Sequence, residues 1–162
     1  MRHPCYASSV SAIPIAATTA PGRAVARQLL GTLPLHVQVV EHGGEATSLL
    51  SHLEDASAAW LVDACASTAP AGTVHRFDVA AAPLPQDAFT LSSHGFGLAE
   101  AIELGRVLGR LPSRCVVYAI DGQSFDAGRP VSPPVTAAVG EVCDRIRREV
   151  LAASETEDAR RA

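Results

Sequence analysis

An aspartate inside an apolar run and a histidine among glycines are the residues best suited to chemistry. Asp63 stands in Leu61-Val62-Asp63-Ala64, and His94 in Ser92-Ser93-His94-Gly95-Phe96-Gly97-Leu98. A charge in an apolar strand is costly unless it is paired or bound to a metal. In open α/β sheets the carboxyl ends of strands face the ligand crevice. The glycines around His94 permit sharp bends and close backbone approach. A carboxylate and an imidazole on two such edges suit a borderline transition metal. They equally suit a structural hydrogen bond, and spacing alone does not choose. Cys65 follows Asp63 by two residues and shares its strand face. A Cys–His nucleophile pair with His94 needs an electropositive setting, which Asp63 opposes. Asp121 ends a second apolar strand, where it either lines the same crevice or caps a loop. His42, beside Gly43 and Gly44, falls on the same sheet edge. His36, His52 and His75 read as surface histidines. Glu100 and Glu103 read as solvated, or paired with Arg106 and Arg110.

The positioning elements follow from periodicity. Helices are expected over 24–33, 46–53, 98–108 and 135–152, the last opened by Pro133 and Pro134, which suit a first turn. Strands are expected over 36–41, 59–65, 73–79 and 114–120; 59–65 and 114–120 are continuous apolar runs, as buried strands require. A charged, frayed tail is expected after Ser154. Strands alternating with helices imply a layered α/β sheet.

The 162 residues suffice for one core and are too few for two. With 48% hydrophobic and 19% charged residues, the chain reads as globular rather than disordered. All 13 basic residues are Arg, the net charge is −4, and no basic face stands out, so nucleic acid is not an expected partner. No apolar run reaches the ~18 residues of a membrane span, so no membrane association is expected. The four cysteines form no CxxC pair and read as buried thiols in a reducing cytoplasm.

An ordered set of short segments narrows this reading. It comprises Glu41-His42-Gly43-Gly44 before a helix, Val62-Asp63-Ala64 closing an apolar run, and Ser92 to Leu98 leading into a helix. Tyr118-Ala119-Ile120-Asp121-Gly122 with Phe125, then Val131-Ser132-Pro133, complete it. From Gly22 to the last helix the chain resembles the hydrogenase maturation protease family. The resemblance implies a three-layer α/β/α sandwich with a twisted, mostly parallel central sheet of about five strands. It implies a cytoplasmic endopeptidase that removes the C-terminal extension of the nickel–iron hydrogenase large-subunit precursor after nickel insertion. The nickel is borne by the substrate and marks it as ready. Asp63 and His94 match two of the family's three metal-contacting, catalytic positions. His42, Gly43, Gly44 and Asp121 fall where the substrate is bound.

The third position is missing. Family members carry an acid in an N-terminal G-x-G-N-x-x-x-x-D-D/E-G segment, whereas the first acid here is Glu41. A shifted reading frame accounts for this. Let each new codon take the last base of one codon and the first two of the next. The pairs from Ser9–Val10 to Thr19–Ala20 then permit GVGNPDRGDDG, the missing motif in order. An Arg-only, Ala-rich composition points to a GC-rich gene, whose alternate frames are poor in stop codons. The chain is therefore divided into an aberrant segment over 1–21, a maturation protease-like domain over 22–153 and the tail over 154–162. Impaired activity is expected. The rival reading is a non-catalytic, degenerate relative that binds the precursor without cutting it.

Overall fold

The computed structural model describes residues 11–15, 19–42, 45–85, 96–122 and 129–162. In chain order the elements are β1 (Ser11–Ile15), α1 (Ala20–Leu29), β2 (Val37–Glu41), α2 (Ala46–Glu54), β3 (Ala58–Cys65) and β4 (Val74–Asp78). They continue with α3 (Phe96–Val107), β5 (Arg114–Asp121) and α4 (Pro133–Arg161). The fold is α/β, as the alternation predicts.

Among the described residues the strands pair in two ladders. β1 pairs parallel with β2, and a three-stranded sheet runs β3-β5-β4. Within it β3 and β5 are parallel and β4 is antiparallel to β5. The sheet is thus mixed, with its antiparallel strand at an edge. β3 is buried along its whole length, and β5 after Arg114 likewise, which explains their unbroken apolar sequences.

Strand alternation sends side chains to two cores. Trp60, Val62, Val116, Tyr118 and Ile120 face α1 and α4. The α4 contribution is the stripe Val135, Ala138, Val139, Val142, Ile146 and Val150, the i, i+3, i+4, i+7 spacing of one helix face. Leu61, Cys65, Cys115, Val117 and Ala119 face the other way, toward Leu49 and Leu53 of α2 and Leu98 and Ile102 of α3. Each fully buried leucine contributes roughly 1.5–3 kcal/mol. The first core is tied by a polar knot. Glu149 of α4 accepts hydrogen bonds from Trp60 Nε1 (2.7 Å), Tyr118 Oη (2.5 Å) and Arg76 Nε (2.9 Å).

Three boundaries differ clearly from the sequence expectation. α1 begins at Ala20, not Ala24, because Pro21 takes the first turn. It ends at Leu29, not Leu33, and the chain then turns through Gly31 at φ +73°. At the other end, α4 continues to Arg161 where fraying is expected after Ser154. Its final turns are rich in Ala, Glu and Arg, all good helix formers. β1 falls inside the aberrant segment and carries Pro14, opposite Val40, one residue from the strand's end. No helix among the described residues is long and apolar enough to cross a membrane.

Candidate functional site

The parallel register of β3 and β5 brings the sequence's candidate acids to one end of the sheet. Asp63 pairs with Ala119, and Cys65 lies directly opposite Asp121. All three side chains share one face by the period-2 rule. His94, Gly43 and Gly44 lie outside the described residues, as does Phe125.

Asp63 is 2% exposed. Its Oδ1 accepts hydrogen bonds from the Thr19 hydroxyl (3.1 Å) and from the Ala64 amide (2.8 Å). These donors supply part of what a buried carboxylate requires. Thr19 occupies the position before α1, and its side chain makes no cap to the helix because it points at Asp63. Sequence reading missed Thr19. The signal available was a threonine just ahead of Ala20-Pro21, a helix start.

Asp121 is 1% exposed and held from two sides. Its Oδ1 accepts the Ser67 amide at 2.8 Å, and its Oδ2 the Ser67 hydroxyl at 3.0 Å. A third partner is His75 Nε2, which makes a short contact with Oδ2. The main chain is pinned as well: the Asp121 amide donates to Thr73 O (2.9 Å), and the Gly72 amide donates to Asp121 O (2.7 Å). These bonds tie Asp121 to the loop that follows β3.

His75 is not the surface histidine expected from sequence. Its side chain is only 33% exposed, it bonds Asp121, and it stacks on Phe77 with ring centroids 6.2 Å apart. The reason is tertiary: antiparallel pairing sets His75 beside Ala119, on the face that Cys65 and Asp121 share. The ligand-type atoms of Cys65, His75 and Asp121 all lie within 4.8 Å of one another. Cys65 is no ready nucleophile. Burial first, then Asp121 and Asp63, push its thiol up to about 12. Cys115 and Cys143 are also buried and unbridged, as expected; Cys5 lies outside the described residues.

His42 follows β2 and is buried. It meets His52 edge to face, with centroids 5.8 Å apart, so His52 is not a lone surface histidine either. Burial and then His52 lower the His42 pKa, favouring the neutral ring, while Glu45 opposes them. His36 is exposed and bonds Ser154 Oγ at 3.0 Å. Glu103 lies 3.6 Å from Arg106 as expected, whereas Arg110 pairs with Glu54 of α2 instead.

Comparisons with known proteins converge. The hydrogenase maturation protease model (HycI) matches residues 24–149. Among solved structures, the hydrogenase maturating endopeptidase HybD from E. coli superposes with a TM-score of 0.69 at 18% identity, over 88% of this chain and 90% of that one. The [NiFe] hydrogenase maturation protease HybD from Thermococcus kodakarensis gives 0.63 at 18% identity, over 86% and 97% of the two chains. The endopeptidase HycI from E. coli gives 0.65 at 15% identity, over 85% and 89%. No curated protein matches significantly. At these identities the structures speak for the fold, and the family model speaks for membership.

Proposed function

The chain belongs to the hydrogenase maturation protease family, and on that premise we propose that its design is that of a cytoplasmic endopeptidase of nickel–iron hydrogenase maturation. The reaction is removal of the C-terminal extension of the large-subunit precursor. Nickel enters as part of that substrate. Asp63 and His94 are assigned to contact it, with His42, Gly43, Gly44 and Asp121 on the substrate side. The observation that carries this reading is the family match over residues 24–149, with Asp63 buried near the carboxyl end of its strand. A carboxylate kept in an apolar strand needs a reason, and a metal to recognise is one.

In the fold we propose for catalysis, the two ladders join as one sheet, β2-β1-β3-β5-β4, between helical layers. Support comes from β1, which packs beside β3 as well as pairing with β2. The family's first motif would occupy β1 and the residues leading into α1. Here Thr19, just before α1, presents a hydroxyl to Asp63 where the motif carries acids. A hydroxyl donor satisfies Asp63 but adds no negative charge, so affinity for a divalent cation is weakened. We therefore read this polypeptide as impaired in cleavage, and residues 1–21 as translated out of frame.

One variant tests the reading. GVGNPDRGDDG is installed in place of the segment ending at Ala20, and cleavage of a nickel-loaded precursor is followed by mass. The parent is expected to leave the precursor intact and the repaired chain to shorten it. A repaired chain that binds the precursor but leaves it uncut overturns the peptidase in favour of the non-catalytic binder. The coding DNA tests the frame directly: codons that cannot spell the motif in the shifted frame end that idea.

A further inference from the structure

We propose that Cys65, His75 and Asp121 form a site for a borderline divalent cation of the zinc class, distinct from the Asp63 position. Three neighbouring strands each supply one donor: a sulfur from β3, an imidazole nitrogen from β4 and a carboxylate oxygen from β5. The ladder fixes their meeting. Cys65 and Asp121 are direct cross-strand partners, and His75 is delivered to the same face by the antiparallel strand. The donor atoms lie within 4.8 Å of one another, with no ion present.

The donor set chooses the ion. Mixed sulfur, nitrogen and oxygen ligation suits zinc, cobalt(II) or cadmium and disfavours magnesium or calcium, which take oxygen alone. Metal–sulfur and metal–nitrogen bonds of about 2.3 and 2.0 Å put tetrahedral donors about 3.4 to 3.6 Å apart. The widest donor pair therefore has to close by up to about 1.4 Å while the short His75–Asp121 contact opens to about 3.3 Å, movements within reach of side-chain rotation. Three protein donors leave a fourth position for water, the pattern of open zinc sites.

The surroundings are already arranged to support the ligands. Both oxygens of Asp121 are aimed by Ser67, through its amide (2.8 Å) and its hydroxyl (3.0 Å). His75 is steadied by the face of Phe77. Such outer contacts fix ligand orientation. Cys65 and Asp121 are buried, while the half-buried His75 leaves an approach from solvent. Charge also balances. A thiolate and a carboxylate neutralise a divalent ion. Binding releases the Cys65 Sγ proton to solvent, and His75 yields the proton on Nε2, keeping or taking one on Nδ1.

The 162-residue chain, stripped with a chelator and titrated with cobalt(II), gives the test. One equivalent is expected to raise a thiolate-to-cobalt charge-transfer band with the visible bands of a tetrahedral ion, and zinc is expected to bleach both. Cys65→Ser should abolish the charge-transfer band. His75→Asn should weaken binding at least about tenfold. Cys5→Ser and Asp63→Asn should keep the band. Absence of a thiolate band in the parent overturns the proposal, as does an unchanged band in Cys65→Ser. Should Cys65→Ser fail to fold by circular dichroism, His75→Asn decides, since a half-exposed position tolerates the change; undiminished affinity there is fatal. The outcome is independent of precursor cleavage, so failure of this site and failure of the peptidase reading are told apart.

Discussion

Replacing Thr19 by Asp puts a carboxylate in the place from which the chain offers a hydroxyl. Thr19 Oγ1 lies 3.1 Å from Asp63 Oδ1, and Asp63 is 2% exposed. In T19D two carboxylates face each other at about 4 Å, which at an effective dielectric of about 20 costs about 4 kcal/mol. Loss of the hydroxyl donor adds about 1 kcal/mol. A negative charge at the start of α1 returns up to about 1 kcal/mol through the helix dipole. The net loss is about 4 kcal/mol, or roughly 8–16 °C in Tm for a chain of this size. The loss should shrink on acidification, because a proton shared between the two acids relieves the repulsion. A divalent cation at 100 times its Kd should restore about 2.7 kcal/mol by binding the folded state alone. Differential scanning fluorimetry at neutral and mildly acidic pH, with and without nickel or cadmium, reads all of this. A T19D chain that melts with its parent and ignores the ion refutes the argument that this hydroxyl stands in for a lost ligand.

Glu149→Gln should cost about 2–4 kcal/mol in urea unfolding, because the Tyr118 hydroxyl and Trp60 indole then compete for one amide oxygen. Burial pushes the Glu149 carboxyl up, but hydrogen bonds from Arg76, Tyr118 and Trp60 outweigh it and hold the pKa below its ordinary value. Its stabilisation is therefore present above the unfolded carboxyl pKa and lost as pH falls through the folded one; in E149Q that part of the acid limb should flatten. Gly72→Ala should destabilise by at least about 2 kcal/mol, since Gly72 sits at φ +87° and a Cβ would lie 2.5 Å from Pro134 O. Because the Gly72 amide also holds the Asp121 carbonyl, G72A should weaken cobalt binding at Asp121 in the same titration.

Much of the fold was legible because burial writes itself into composition. A strand buried on both faces must be apolar throughout, so Ala59 to Cys65 and Arg114 to Ile120 declared themselves, and the stripe from Val135 to Val150 declared α4. Asp63 was conspicuous for the same reason: one acid interrupts an apolar run. Other features were not visible along the chain. His75 sits in an alternating strand whose sequence allows either face to be wet. Only its antiparallel register against β5 turns it toward Asp121. Thr19 is remote from Asp63 by 44 residues, and Ser67 from Asp121 by 54, so no local pattern joins them.

The sequence by itself determined the alternation of elements, the apolar strands and the ordered segments that mark the family, because each is a property of neighbours along the chain. The tertiary structure alone decided which side chains share a site. Strand register and the face a residue takes are set by pairing across the sheet. A shift of one residue would have sent Cys65 and His75 to opposite sides. The meeting of a sulfur, an imidazole and a carboxylate at one sheet end is a consequence of that register.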